Sequence, residues 1–175
     1  MRMIALALLL LPSPQQDLKP GLIGEFYSIG MEINDFPTLA FDQRPVNRRI
    51  DRRIEWETRE GPFADTDLVD WFYVRWSGVL RVPKAETWTF TVASDDGSRL
   101  WIGEKLVVDH GGMHMPIEKK GSARLEAGDH EIRIEFFENG GGSGIAVWWE
   151  APELPSEILP ARALLHRKDK ELDGD

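Results

Sequence analysis

The strongest constraint on this chain is a hydropathy period of two. In "ETWTFTVAS", residues 86–94, Trp88, Phe90 and Val92 fall on one side, and Thr87, Thr89 and Thr91 on the other. Successive side chains of a strand point to opposite faces, so the pattern marks a half-buried strand. The same rule runs through "HEIRIEFFE", where Ile132, Ile134 and Phe136 would face a core and Glu131, Arg133 and Glu135 would face water. "GIAVWWE" repeats it with Ile145, Val147 and Trp149. No helical period persists for three turns. Short strands separated by turn residues at such spacing predict an all-β antiparallel sandwich or barrel.

The segments between the strands refine this reading. Pro20-Gly21 opens "GLIGEFYS", and the aromatic run Trp71–Val82 ends in the turn Pro83–Glu86. Gly78 inside that run reads as a bulge. Hairpins are expected around Gly103-Glu104 and at Ala127-Gly128-Asp129. "PSEILPARALL" suits a helical turn or an edge strand, and the charged residues 167–175 read as a disordered tail. A length of 175 residues suits one domain, placed at 17–166.

Composition narrows the partners. The net charge of −9 disfavours nucleic acid, which needs a basic surface. The chain has no cysteine, which excludes disulfides, thiolate metal sites and a cysteine nucleophile. The first residues, "MRMIALALLLLPSPQQ", place Arg2 before an apolar run from Met3 to Leu11. A bilayer needs about 20 apolar residues, so this run does not make an integral membrane protein. It has the form of a signal peptide over 1–16, which predicts a secreted or cell-envelope protein.

One stretch stands apart. "FTVASDDGSRLWIG" ends a strand on two adjacent carboxylates, Asp95 and Asp96, followed by Gly97 and a second apolar run. Like charges side by side repel, so either water solvates them as a polar turn or a positive group holds them. These residues resemble a known family. "GLIGEFY", "DWFYVRWSGVLRVP", "ETWTFTVASDDGSRLWIGEKLVVD", "LEAGDHEIRIEFFENGGGSGIAVWW" and "ILPARAL" occur in the order and spacing of the PA14 domain, from about Gly21 to Leu165. The resemblance implies a sandwich of two antiparallel sheets and a non-catalytic, carbohydrate-binding role. In sugar-binding members the paired aspartates, joined by a cis peptide, chelate calcium, an asparagine from a later loop joins them, and sugar hydroxyls fill the open positions. Carried onto this chain, the metal set is Asp95, Asp96, Asn139 and the carbonyls of Gly141 and Ser143. Calcium accepts about 6–8 oxygen ligands, so such a shell leaves room for a diol. The alternative is a structural or protein-interaction module whose metal site is vestigial. The chain departs from the adhesins of the family in lacking cysteines and in its compact loop from Asp109 to Gly121.

Other candidates complete the reading. His110 and His114 have a spacing compatible with zinc, but nothing nearby completes a site; His114 is expected to border the calcium rim and touch the ligand. Arg44, Arg48, Arg49, Arg52 and Arg53 form a basic cluster that either binds an anion or offsets acidic neighbours. Trp76, Trp88 and Trp101 are expected in the core. Of Trp148 and Trp149 only one can point inward, which leaves Trp148 as an exposed platform for a sugar ring. Enzyme signatures fail: "GGSGI" lacks the last glycine of a nucleophile elbow, and "HEIRI" lacks a second histidine. Glu135 and Glu138 differ in strand parity and should face opposite sides.

Overall fold

The alternating segments become two antiparallel sheets in a computed structural model that describes residues 17–174. The signal-peptide assignment falls on residues outside that range. The strands are β1 (Leu18–Pro20), β2 (Leu22–Ser28), β3 (Asn47–Asp51), β4 (Glu55–Glu60), β5 (Phe72–Val82), β6 (Glu86–Asp95) and β7 (Ser98–Ile102). They continue as β8 (Lys105–His110), β9 (Ile117–Leu125), β10 (Gly128–Glu138), β11 (Gly142–Ala151), β12 (Leu154–Ile158) and β13 (Leu164–Arg167). A 3-10 turn, Ala161–Ala163, precedes β13, and a single turn of helix, α1 (Lys170–Asp173), follows it.

The larger sheet runs β1-β13-β5-β10-β7-β8, with β2 joining β3 to the edge of β5. The smaller runs β12-β11-β6-β9, with β4 sharing an edge of β11. Between them lie the predicted inward residues. Trp88, Phe90, Val92, Ile134, Phe136 and Val147 are fully buried, and Trp88 meets Trp149 with ring centroids 4.3 Å apart. Burying each such side chain contributes about 1.5–3 kcal/mol.

Four expectations change. Residues Ala127–Asp129 do not close a hairpin. β9 pairs with β6 in the smaller sheet and β10 with β5 and β7 in the larger, so the chain crosses between layers there. Alternation identifies a strand but not its partner. Gly78 is no bulge, because β5 and β10 pair in unbroken register across it. A Cβ there would lie 2.3 Å from the Leu165 carbonyl oxygen, so glycine admits β13 at close range. Trp101 is outside the core: its indole N–H donates to Glu135 at 3.1 Å and the Arg133 guanidinium covers its ring. The charged stretch after β13 is ordered as far as Gly174. Arg167 ends β13, and Arg48 anchors α1 through Asp169 at 2.6 Å and Glu171 at 3.0 Å.

A second, smaller cluster lies on the outer face of the larger sheet. Tyr27, Tyr73, Phe137 and Ile33 are buried there under the segment that joins β2 to β3. Phe136 and Phe137 therefore serve opposite faces of the same strand. Phe36 packs edge-on against Phe137 at 5.1 Å, and the Arg99 guanidinium lies 4.1 Å from its ring centroid.

Candidate functional site

The two adjacent aspartates stand where the chain changes sheets. β6 ends at Asp95 in the smaller sheet, and β7 begins at Ser98 in the larger. The Ser94 hydroxyl donates to that of Ser98 at 2.7 Å and staples the corner. The Gly97 carbonyl accepts the Phe137 N–H at 2.9 Å. A Cβ on Gly97 would lie 2.3 Å from the Phe137 ring, so the corner sits this close to β10 only as glycine. The Asp95–Asp96 peptide bond is cis.

A third carboxylate joins the pair. Glu138, the last residue of β10, offers an oxygen that lies within 4.8 Å of one from each of Asp95 and Asp96. Glu138 is fully buried; its Oε2 accepts the Asp96 N–H at 3.1 Å, whereas among the described residues Oε1 has no hydrogen-bond partner. The Asp96 carboxylate accepts two amides, from His114 at 2.8 Å and from Asn139 at 3.0 Å. It thereby ties the β8–β9 loop and the β10–β11 loop to one point. The Asp95 carboxylate is half-buried and accepts no hydrogen bond among the described residues.

This arrangement is electrostatically costly when empty of positive charge. Two unit charges about 4.8 Å apart repel by about 3–4 kcal/mol at an effective dielectric near 20. Burial, then the charges of Asp96 and Asp95, push the Glu138 carboxyl up to about 8, against the pull of the Asp96 and Gly140 amides. Burial and the neighbouring Asp96 also raise the Asp95 carboxyl. The site therefore favours either a proton or a cation.

The residues singled out in the sequence distribute unevenly around it. Asn139 lies beside Asp96 through its backbone, while its side-chain oxygen accepts the Ile33 N–H at 3.0 Å. Gly141 is exposed at φ +105° and donates its N–H to Asp70 at 3.3 Å. Ser143 is buried in β11 opposite Arg59 of β4. His114 reaches the site by its main chain, whereas its ring stacks on His110 with centroids 3.9 Å apart. Among the described residues neither His110 ring nitrogen has a hydrogen-bond partner, and burial followed by the charge of His114 lowers its pKa to about 4. Trp148 is half-exposed on the outer face of the smaller sheet, opposite Thr91 and Ile158. The residue of β11 opposite Asp95 is Gly144, so Trp148 stands four residues, about 13 Å, along the strand from that end. The arginine cluster is largely engaged: Arg48 with Asp169 and Glu171, Arg49 with Asp51, and Arg53 with Glu55.

By sequence alone Glu138 stands out only as a residue of the opposite strand parity to Glu135. Its parity held the better signal. Ile132, Ile134, Phe136 and Glu138 alternate in one series, so the carboxylate falls on the core-facing side of a strand end. An acidic residue in such a position needs a proton, a partner or a metal.

The fold and site define a class of domain: a two-sheet β-sandwich with carboxylates gathered at one loop-bearing end. The chain belongs to the PA14 domain family, whose model matches residues 18–161. It is 29% identical over 145 residues to the anti-sigma-I factor RsgI3 of Acetivibrio thermocellus, covering 82% of this chain and 21% of that protein. The chain thus spans about a fifth of that relative's length. Its fold is similar to the PA14 sugar-binding domain from an RTX adhesin, with TM-score 0.74 and 19% identity, covering 84% of this chain and 98% of that one. It is also similar to the epithelial adhesin 6 A domain from Candida glabrata in complex with Galb1-3GlcNAc, with TM-score 0.67 and 13% identity, covering 90% and 91% of the two chains.

Proposed function

We propose that this chain is an exported, non-catalytic module that binds glycans through calcium held by Asp95, Asp96 and Glu138. The observation that carries this reading is the buried Glu138 carboxylate, which comes within 4.8 Å of two further carboxylates while its Oε1 lacks a hydrogen-bond partner among the described residues. Calcium is a hard cation that takes carboxylate, carbonyl and hydroxyl oxygens in flexible geometry. It would convert three mutually repelling groups into ligands and leave positions for a sugar diol. Asn139, whose backbone N–H donates to Asp96, and the carbonyls of the glycine-rich loop would supply further oxygens. The sugar-binding adhesin domains that share the fold support the ligand class. The apolar leader supports export. A structural role without metal is the second reading, favoured by the Asp96 carboxylate, which already ties two loops through the His114 and Asn139 amides.

Calcium titration separates the two. Binding to the folded state alone stabilises it by about 2.7 kcal/mol at a hundredfold excess over Kd. For a domain of this size that is on the order of 5–10 °C in Tm. The expected result is a calcium-dependent rise, reversed by chelator and largely lost in Asp95→Asn. Asp95 is the clean probe because its carboxylate holds no loop in place. No shift at millimolar calcium would reduce the trio to a structural corner. A glycan array run with calcium and with chelator then tests the sugar.

A further inference from the structure

The end of the sandwich opposite the carboxylates holds a cleft of about 650 Å³, a size that suits a small molecule. It lies at the β5–β6 turn, and the ten residues of β6 span about 30 Å from that turn to Asp95. Three connections meet around it. The β5–β6 turn brings Pro83 and Lys84, the β11–β12 turn brings Glu153 and Leu154, and the 3-10 turn brings Arg162 and Ala163. Trp149, itself buried, provides the floor. Its indole N–H donates to Glu157 at 3.1 Å, which fixes the ring. The β11–β12 ladder shifts register between Trp149 and Ala151, so a bulge interrupts the pairing at this floor.

The walls are apolar and the rim is basic. Among the described residues no Ser, Thr, Asn, Gln or Tyr lines the cleft, so a neutral sugar would find few partners for its hydroxyls. Arg81, Lys84 and Arg162 stand against a single acidic lining residue, Glu153. Arg81 is fully engaged, with two hydrogen bonds to Asp129. The other two cations are held loosely. Lys84 meets Glu153 at 3.0 Å, and that glutamate side chain is 83% exposed. Arg162 reaches Glu157 through one nitrogen at 2.7 Å, and the rest of its guanidinium has no partner among the described residues. Exposed ion pairs of this kind stabilise little, so a ligand carboxylate can take the place of Glu153 on Lys84 and add to Arg162. We propose that this cleft binds a small aromatic carboxylate, with its ring on Trp149 and Leu154 and its carboxylate against the Lys84 and Arg162 rim. The indole suits an aromatic ring, and the excess of positive charge suits one anionic group. The site needs no calcium and stands apart from the glycan reading.

The test is calorimetry of the wild type in chelator with three probes. One is trans-cinnamate. Cinnamyl alcohol keeps the ring and lacks the charge, and acetate keeps the charge and lacks the ring. Cinnamate should bind with a Kd on the order of 0.1–1 mM, and each control about tenfold more weakly or worse. Salt at about 1 M should weaken cinnamate binding, since the rim is exposed. The double variant Lys84→Gln/Arg162→Gln should lose about tenfold on cinnamate. Leu154→Trp, which narrows the cleft, should weaken it as well. The comparison of the three probes needs no variant, so it stands whatever the substitutions do to folding. Equal binding of cinnamate and cinnamyl alcohol, or no binding of cinnamate at about 10 mM, overturns the proposal. An unaltered cinnamate affinity in a double variant that melts like the wild type overturns it too. None of these outcomes bears on the calcium titration, which reads the other end of the molecule.

Discussion

Replacing Glu138 by glutamine should make the metal-free protein more stable and the calcium-loaded protein less so. The Glu138 carboxyl, ordinarily near 4.5, is pushed up to about 8 by burial and by Asp96 and Asp95. Because the folded pKa lies above the unfolded one, the folded state binds more protons between these values. Stability from this group is complete below about 4.5 and declines as pH rises toward 8. At pH 7 the loss is at most about 3 kcal/mol, from roughly 2.5 pH units at 1.36 kcal/mol each. An amide escapes it, since its oxygen still accepts the Asp96 N–H and its NH2 group can face the aspartates. Glu138→Gln in chelator should therefore raise Tm by up to about 6–12 °C at pH 7, by more at pH 8, and by little near pH 4.5. His110 titrates with the opposite slope. Its pKa is lowered to about 4, so its contribution is present above about 6.5 and is lost as pH falls toward 4. Both proteins contain it, so the difference between their melting curves isolates Glu138. In millimolar calcium the order should reverse at pH 7, because the wild type gains and the variant lacks a ligand. Thermal melts by circular dichroism at pH 4.5, 6, 7 and 8, with chelator and with calcium, measure all of this. A difference that does not change with pH would refute the electrostatic reasoning. A variant that gains as much from calcium as the wild type would refute the assignment of Glu138 as a ligand.

Two further outcomes test how the site is supported. Gly121→Ala should cost about 3 kcal/mol or more, because its Cβ would lie 1.8 Å from the Val107 carbonyl oxygen where β9 meets β8; a Tm within 2 °C of the wild type would contradict that packing. Arg48→Ala should release α1 and speed tryptic cleavage at Lys168 and Lys170; the wild type should show the same release as pH falls toward 2, since the Arg48 hydrogen bond holds the Asp169 carboxyl down to about 2, and equal cleavage rates at pH 8 would show that the ion pairs do not anchor the helix.

Much of this was legible in the chain because strand alternation is local. Trp88, Phe90 and Val92 face inward for a reason written within seven residues, and the inward choice of Trp149 over Trp148 follows the same rule. Even Glu138 was marked by parity, as the fourth member of a series whose other members are apolar. The paired aspartates and the following glycine were equally visible as an anomaly at a strand end. The assembly of the site was not visible, because it depends on which strands become neighbours. Asp95 and Glu138 are distant in sequence and belong to different sheets. They meet only because the chain changes layers at Asp96–Gly97 and β10 ends at that same corner. The pairing of β9 and β10 with different sheets, the ordering of α1 by Arg48, and the setting of Phe72 opposite Glu138 arise in the same way. Local alternation determines which face each side chain takes; long-range register decides which faces and ends are brought together, and carboxylates that would be solvated in isolation become a buried, repelling trio only there.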